Sequence, residues 1–190
     1  MKAFVLGNGE SRQKLNVSPL SKHGFIYGCN GIYRDMRPDF LITVDPTMAK
    51  EIAKTDYIDR WQVYTPYTDL QKLHKNFVLF KSSARLCAGV TASLIAIEHG
   101  AKEVYLIGHD LGSSNGLINN IYKNSNNYKQ AWEDDESFNV YTPHYLQLLK
   151  SHPHIDFIRV MGKQTFSVKD FKAFKNYKET KLDTFQKNFS

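Results

Sequence analysis

Two carboxylates, Asp45 and Asp110, stand where short apolar runs stop, and two small Asn/Gly turns stand in equivalent places. The turns are Gly7-Asn8-Gly9-Glu10-Ser11, after Ala3-Phe4-Val5-Leu6, and Cys29-Asn30-Gly31, after Phe25-Ile26-Tyr27. Strand-end carboxylates are functional positions, and ligands of open parallel sheets sit beyond the carboxyl ends of strands. Glycines without a Cβ let a ligand approach the main chain, so Gly7, Asn8 and Gly9, with the Ser11 hydroxyl, read as an anion-binding corner with free N–H groups. Arg12 occupies the place of a third glycine, and no Gly-Lys-Ser/Thr sequence is present, so neither a full dinucleotide fingerprint nor a P-loop is formed. An ordinary strand-to-turn connection is the other reading of that stretch. Asp45 precedes Pro46 and also reads as a helix cap. Arg85, in the small-residue loop Ser82-Ser83-Ala84-Arg85-Leu86-Cys87-Ala88-Gly89, is a surface charge or an anion ligand.

These residues need a scaffold that brings strand ends together. Apolar runs at 3–6, 25–29, 40–44, 61–64, 77–80, 103–107 and 156–160 predict strands, too short for helices and flanked by Gly, Asn and Pro. Helices are predicted at 46–54, near 69–73, at 90–99 with Gly100 as its stop, and at 141–151 with Pro143 in the first turn. The class is α/β, with a mostly parallel sheet flanked by helices. Between 111 and 137 the chain is polar, with Gly112, Gly116 and six asparagines, which predicts a binding loop or lid whose Tyr122 and Trp132 close over a base or sugar. The run Glu133-Asp134-Asp135-Glu136 reads as a solvated stretch. His109 reads as a packed or solvent-facing ring, and His152 and His154 as parts of a turn.

With 190 residues the chain fits one unit, 1–162, and a short extension, 163–190, in which seven lysines accompany a helical stripe of Phe and Tyr. That tail is expected to pack on the body or on another subunit, giving a homo-oligomer, rather than to meet a membrane surface or nucleic acid. No apolar run has the length of a bilayer span, and Met1-Lys2 leads into a strand rather than a signal peptide, so the expected location is cytoplasmic. Cys29 and Cys87 form neither a disulfide framework nor a zinc spacing. The net charge of +6 is spread without an Arg-rich block, which fits an anionic small molecule as well as nucleic acid.

Five segments in order resemble a Rossmann-like superfamily. They are Gly7-Asn8-Gly9-Glu10-Ser11, Cys29-Asn30, Pro38-Asp39-Phe40 with Val44-Asp45-Pro46, Ala88-Gly89-Val90, and Gly100-Ala101-Lys102-Glu103-Val104-Tyr105-Leu106-Ile107-Gly108-His109-Asp110. The superfamily includes Campylobacter-type sialyltransferases, motility accessory factor glycosyltransferases and 6-hydroxymethylpterin diphosphokinases. The sialyltransferase resemblance implies that Gly7, Asn8, Gly9 and Ser11 hold the phosphate and ribose of a cytidine nucleotide, that Asn30 reaches the nucleotide or donor sugar, and that Arg85 and Gly89 line the same cleft. It implies a nucleotide-sugar donor of CMP type and no cofactor, with His144 as a substitute for the general base. Cys87-Ala88 stands where that family has Thr-Ser, and Leu111-Gly112 where it has tyrosines. The diphosphokinase resemblance implies Mg²⁺ on Asp45 and Asp110. A non-catalytic nucleotide-binding protein is a third reading.

Overall fold

The computed structural model describes residues 1–81 and 86–190. Eight strands form one sheet: β1 (Lys2–Leu6), β2 (Gly24–Cys29), β3 (Phe40–Ile42), β4 (Val63–Thr65), β5 (Phe77–Leu79), β6 (Glu103–Ile107), β7 (Asp156–Met161) and β8 (Tyr177–Lys181). Their order is β5-β4-β3-β2-β1-β6-β7-β8, and every pairing is parallel. The central strands are apolar on both sides because both faces are covered, as a parallel sheet requires. Ala3, Phe4, Val5 and Leu6 of β1 have no exposed surface.

The chain winds outward from β1 to β5, then returns to lay β6 on the other side of β1, where Phe4 is flanked by Ile26 and Tyr105. That reversal is a topological switch point, beyond which the loops at the C-terminal ends of β1 and β6 border a crevice. The helices are α1 (Pro46–Ile52), α2 (Asp56–Arg60), α3 (Thr68–Gln71), α4 (Ala88–Glu98), α5 (Ser137–Ser151) and α6 (Leu182–Asn188). On one face Val90, Ala92, Ile95 and Ala96 of α4 pack with Tyr145, Leu148 and Leu149 of α5 over Ala3, Val5 and Leu106. On the other, Met48, Ala49 and Ile52 of α1 join a cluster with Phe4, Leu6, Leu41 and Phe185 of α6. Gly100, at φ +93°, follows α4 in the left-handed conformation that ends a helix.

Two expectations differ in detail. The late helix begins four residues before 141, because Asp135 Oδ1 accepts the Ser137 N–H and starts the turn there; Pro143 therefore lies inside α5 rather than in its first turn. The segment after Gly162 is only partly helical: Tyr177–Lys181 enters the sheet as β8, paired with β7 from Phe157↔Tyr177 to Met161↔Lys181. Its Phe171 and Tyr177 belong to one core cluster, and its Phe185 and Phe189 to the other, so this extension packs on the body of its own chain. The Asn-rich segment is largely irregular, with one antiparallel bridge, Leu117↔Asp134. Among the described residues no helix is long and apolar enough to cross a membrane.

Candidate functional site

A cavity of about 620 Å³ opens at the C-terminal ends of β1, β2, β3 and β6, a size suited to a nucleotide or similar small molecule. Gly7, Asn8, Gly9, Asn30, Asp45, Gly89, Asp110 and His144 all contribute to its wall, so the switch point assembles most of the residues singled out in the sequence. Ser11 is buried and is not on that wall, and Arg85 lies outside the described residues.

The β1 turn is built differently from an open anion cradle. Gly7 N–H bonds Ile107 O at 2.8 Å, Gly9 N–H bonds Gly108 O at 2.8 Å, Glu10 N–H bonds Asn119 Oδ1 at 2.9 Å and Ser11 N–H bonds Asp110 Oδ2 at 2.9 Å. Arg12 N–H returns to Gly9 O, leaving Asn8 N–H as the one amide of this turn without a partner among the described residues. Asp110, 3% exposed, fills the anion position itself, its second oxygen accepting the Thr165 hydroxyl at 3.0 Å. Gly7 and Gly9 are required for close approach rather than for unusual backbone angles. A Cβ on Gly7 would lie 2.5 Å from Gly108 O, and one on Gly9 would lie 2.4 Å from Asp110 Oδ2.

Asn8 braces the crevice from its side chain. Its Nδ2 donates to Cys29 O at 3.1 Å and to the Tyr128 hydroxyl at 2.9 Å. The same hydroxyl accepts Gly31 N–H, and Asn8 O accepts Ile121 N–H. Tyr122 donates to Asp35 and receives the buried Arg12 guanidinium at 3.2 Å, so the Asn-rich segment is fastened over the crevice by hydrogen bonds. Asn30, at φ +51°, lines the cavity with a buried Oδ1 that has no partner among the described residues. A buried acceptor in that condition needs a donor, which a ligand N–H or O–H or a bound water can supply.

The opposite wall comes from the N-terminal ends of α4 and α5. No side-chain oxygen caps α4; the N–H groups of Val90 and Gly89 face the Cys87 sulfur, whose thiol burial pushes up to about 11. A thiol is a weak acceptor, so this helix end suits an anion. Cys87 N–H donates to His144 Nδ1 at 3.1 Å. Neutral His144 therefore carries its proton on Nε2 and offers the cavity a donor, opposite to the lone pair expected of a general base. On α5, Ser137, Tyr141, His144 and Tyr145 share the cavity-facing side at spacings of three and four. Burial, with the Cys87, Asp135 and Asp45 groups, pushes the Tyr141 hydroxyl up.

Behind the site, His109 is used at both nitrogens, by Val5 O at 3.0 Å and the Tyr145 hydroxyl at 2.5 Å. Val5 O can only accept, which fixes the proton on Nε2 and makes Tyr145 the donor to Nδ1. Burial, reinforced by Arg159 and Arg12, holds His109 down at about 4 against the pull of the Val5 carbonyl. Gly89 gives this pair room, since a Cβ there would lie 2.3 Å from the Tyr145 hydroxyl and 2.5 Å from His109 Cε1. Arg159, 1% exposed on β7, donates to His109 O at 2.8 Å and Asp110 O at 2.9 Å and so fixes the end of β6. The lone cation in Phe157-Ile158-Arg159-Val160 was the sequence signal for it. Tyr128 carried no comparable signal, because its partners lie about a hundred residues away in the chain.

Asp45 does cap α1: its Oδ1 accepts Thr47 N–H and the Thr47 hydroxyl, both at 2.8 Å, and Met48 N–H at 3.4 Å. Its Oδ2 has no hydrogen-bond partner among the described residues, and the residue lies on the cavity wall. Among the described residues no three His, Cys, Asp or Glu side chains gather as a metal site. Comparison of the chain with protein-family models, curated proteins and solved structures gave no match.

Proposed function

We propose that the protein binds a nucleotide in the β1/β6 crevice and transfers a sugar from a nucleotide-activated donor of CMP type. The observation that carries this reading is a cavity of about 620 Å³ at the switch point, lined by strand-end turns and by polar side chains that include the unpartnered Asn30 Oδ1. Asn30 Oδ1 meets a donor group of the nucleotide or its sugar, and the phosphate lies against the N-terminal end of α4. His144 Nε2–H donates to the departing phosphate and stabilises the charge that develops there. Asp45 Oδ2, free of the capping bonds, takes the proton of the acceptor hydroxyl. The acceptor oxygen bonds the anomeric carbon as the carbon–oxygen bond to phosphate breaks, and that electron pair leaves on the phosphate. Asp110 orients the β1 turn, and Arg85 is assigned to the phosphate by the resemblance alone.

The Mg²⁺-dependent diphosphokinase reading fits these residues less well. Asp110 spends both oxygens on Ser11 and Thr165, Asp45 spends one on its helix cap, and the described residues bring no third ligand to either. Donor turnover measured in chelator separates the possibilities. Turnover that persists without metal and falls about a hundredfold in Asp45→Asn, with donor binding retained, is expected. No turnover of the sugar donor, with Mg²⁺-dependent release of nucleoside monophosphate from a triphosphate, would favour the diphosphokinase, and tight binding without turnover would make the protein a nucleotide-binding module.

A further inference from the structure

Trp132 stands on a hydrogen-bonded turn whose neighbours in the chain, Lys129, Asp135 and Glu136, line the cavity. Gln130 N–H is accepted by Glu133 Oε1, Glu133 N–H by Gln130 O, and Ala131 N–H by Asn124 Oδ1 at 2.7 Å. Ile118 N–H bonds Glu133 O at 3.0 Å, tying the turn to the neighbouring strand-like segment. Trp132 at the tip is 75% exposed and stacks on no aromatic or cationic side chain among the described residues. Leaving an indole in water forfeits its burial energy, whereas most exposed positions of such a turn are filled by polar residues. Its flanks are functional ground: Lys129 on one side and Asp135 and Glu136 on the other line the cavity, as do Asn119, Asn120 and Asn127.

We propose that Trp132 is the platform of an acceptor subsite, and that the acceptor is an uncharged saccharide whose ring lies on the indole with a hydroxyl directed into the cavity. The inference rests on the glycosyl-transfer reading and adds the chemical class of its acceptor. One face of a pyranose is a set of C–H groups that packs on the electron-rich face of an indole. The remaining hydroxyls need polar partners, which Asn120 Nδ2, Lys129 and Glu136 supply on the cavity wall, whereas Asn119 and Asp135 are held by bonds within the protein. Charge argues against the other partners of an exposed Trp. Trp132 is followed directly by Glu133-Asp134-Asp135-Glu136, which repels a nucleic-acid backbone and an anionic bilayer.

The test is an array of chemically diverse glycans probed with the labelled full chain, beside its Trp132→Phe and Trp132→Ala variants. Retention of the wild type on a subset of uncharged glycans is expected, weakened about tenfold by Trp132→Ala and mostly kept by Trp132→Phe. Nucleotide-induced thermal stabilisation, measured on the same samples, should be equal in all three. In a Trp61→Phe background only Trp132 fluoresces, and its emission should shift with the retained glycan and stay fixed with phosphatidylcholine vesicles. No glycan retained while nucleotides still stabilise the protein would overturn the acceptor inference and leave the proposed function standing. An emission shift with vesicles alone, or glycan retention unchanged in Trp132→Ala, would overturn it as well. Loss of nucleotide stabilisation in every sample would instead count against the function on which the inference rests.

Discussion

His109 shows how a single side chain ties the crevice to folding. Its ring is enclosed, satisfied by Val5 and Tyr145, and held neutral near two buried arginines. The folded state binds the proton less tightly than the unfolded chain, where an imidazole titrates near 6.5. The stability His109 contributes is therefore complete above that pH and is lost as the pH falls toward about 4, by about 3 kcal/mol in all. Denaturant midpoints from pH 7.5 to 4 should record that loss, and His109→Gln should flatten the profile over the same interval. A profile equally steep in the variant would place the acid sensitivity elsewhere. At this scale the sequence was readable where a residue's partner is its neighbour, as for Asp45 and its cap. It was misleading where the partner is distant: nothing near Gly9 announces that Asp110, about a hundred residues later, will take the Ser11 amide of that turn.

Among the elements, α6 and β8 carry more weight than their composition implies. Phe185 and Phe189 pack on Phe4 and Tyr105, with ring centroids 5.1–6.2 Å apart, and so cover the β1/β6 seam on the face opposite α4. Phe185→Ala should cost about 3–5 kcal/mol of unfolding free energy, read from the urea midpoint. A cost near that of a surface substitution would mean that α6 is not part of the cooperative unit. The seven strands from β1 to β7 were legible because their runs are mostly apolar, most of all in the central β1 and β6, which are covered on both faces. Strand β8 was not, because its Lys178, Glu179 and Lys181 are exposed and the stretch reads as a charged tail. The early start of α5 was hidden for a similar reason, since its first turn is set by the Asp135 carboxylate rather than by an apolar stripe.

For the molecule as a whole, parallel winding with one reversal places Gly7-Asn8-Gly9, Asn30, Asp45 and Asp110 around one opening, and the order of strand-end residues in the sequence was enough to anticipate that convergence. The sequence could not convey how many of those groups the protein would use on itself. Most amides of the β1 turn and both oxygens of Asp110 are used on the protein's own groups, so the proposed ligand is left to Asn30, the end of α4 and the polar side of α5. The central claim is that this opening binds a nucleotide without a metal. Thermal unfolding of the full chain with CMP, CDP, UMP, GTP and ATP, each with and without Mg²⁺, tests it most directly. The account predicts that cytidine nucleotides stabilise the protein in the absence of Mg²⁺, by about 2.7 kcal/mol at a hundredfold excess over Kd, and that Asn30→Ala removes most of the shift. No shift with any nucleotide, or a purine triphosphate shift that requires Mg²⁺, would contradict it.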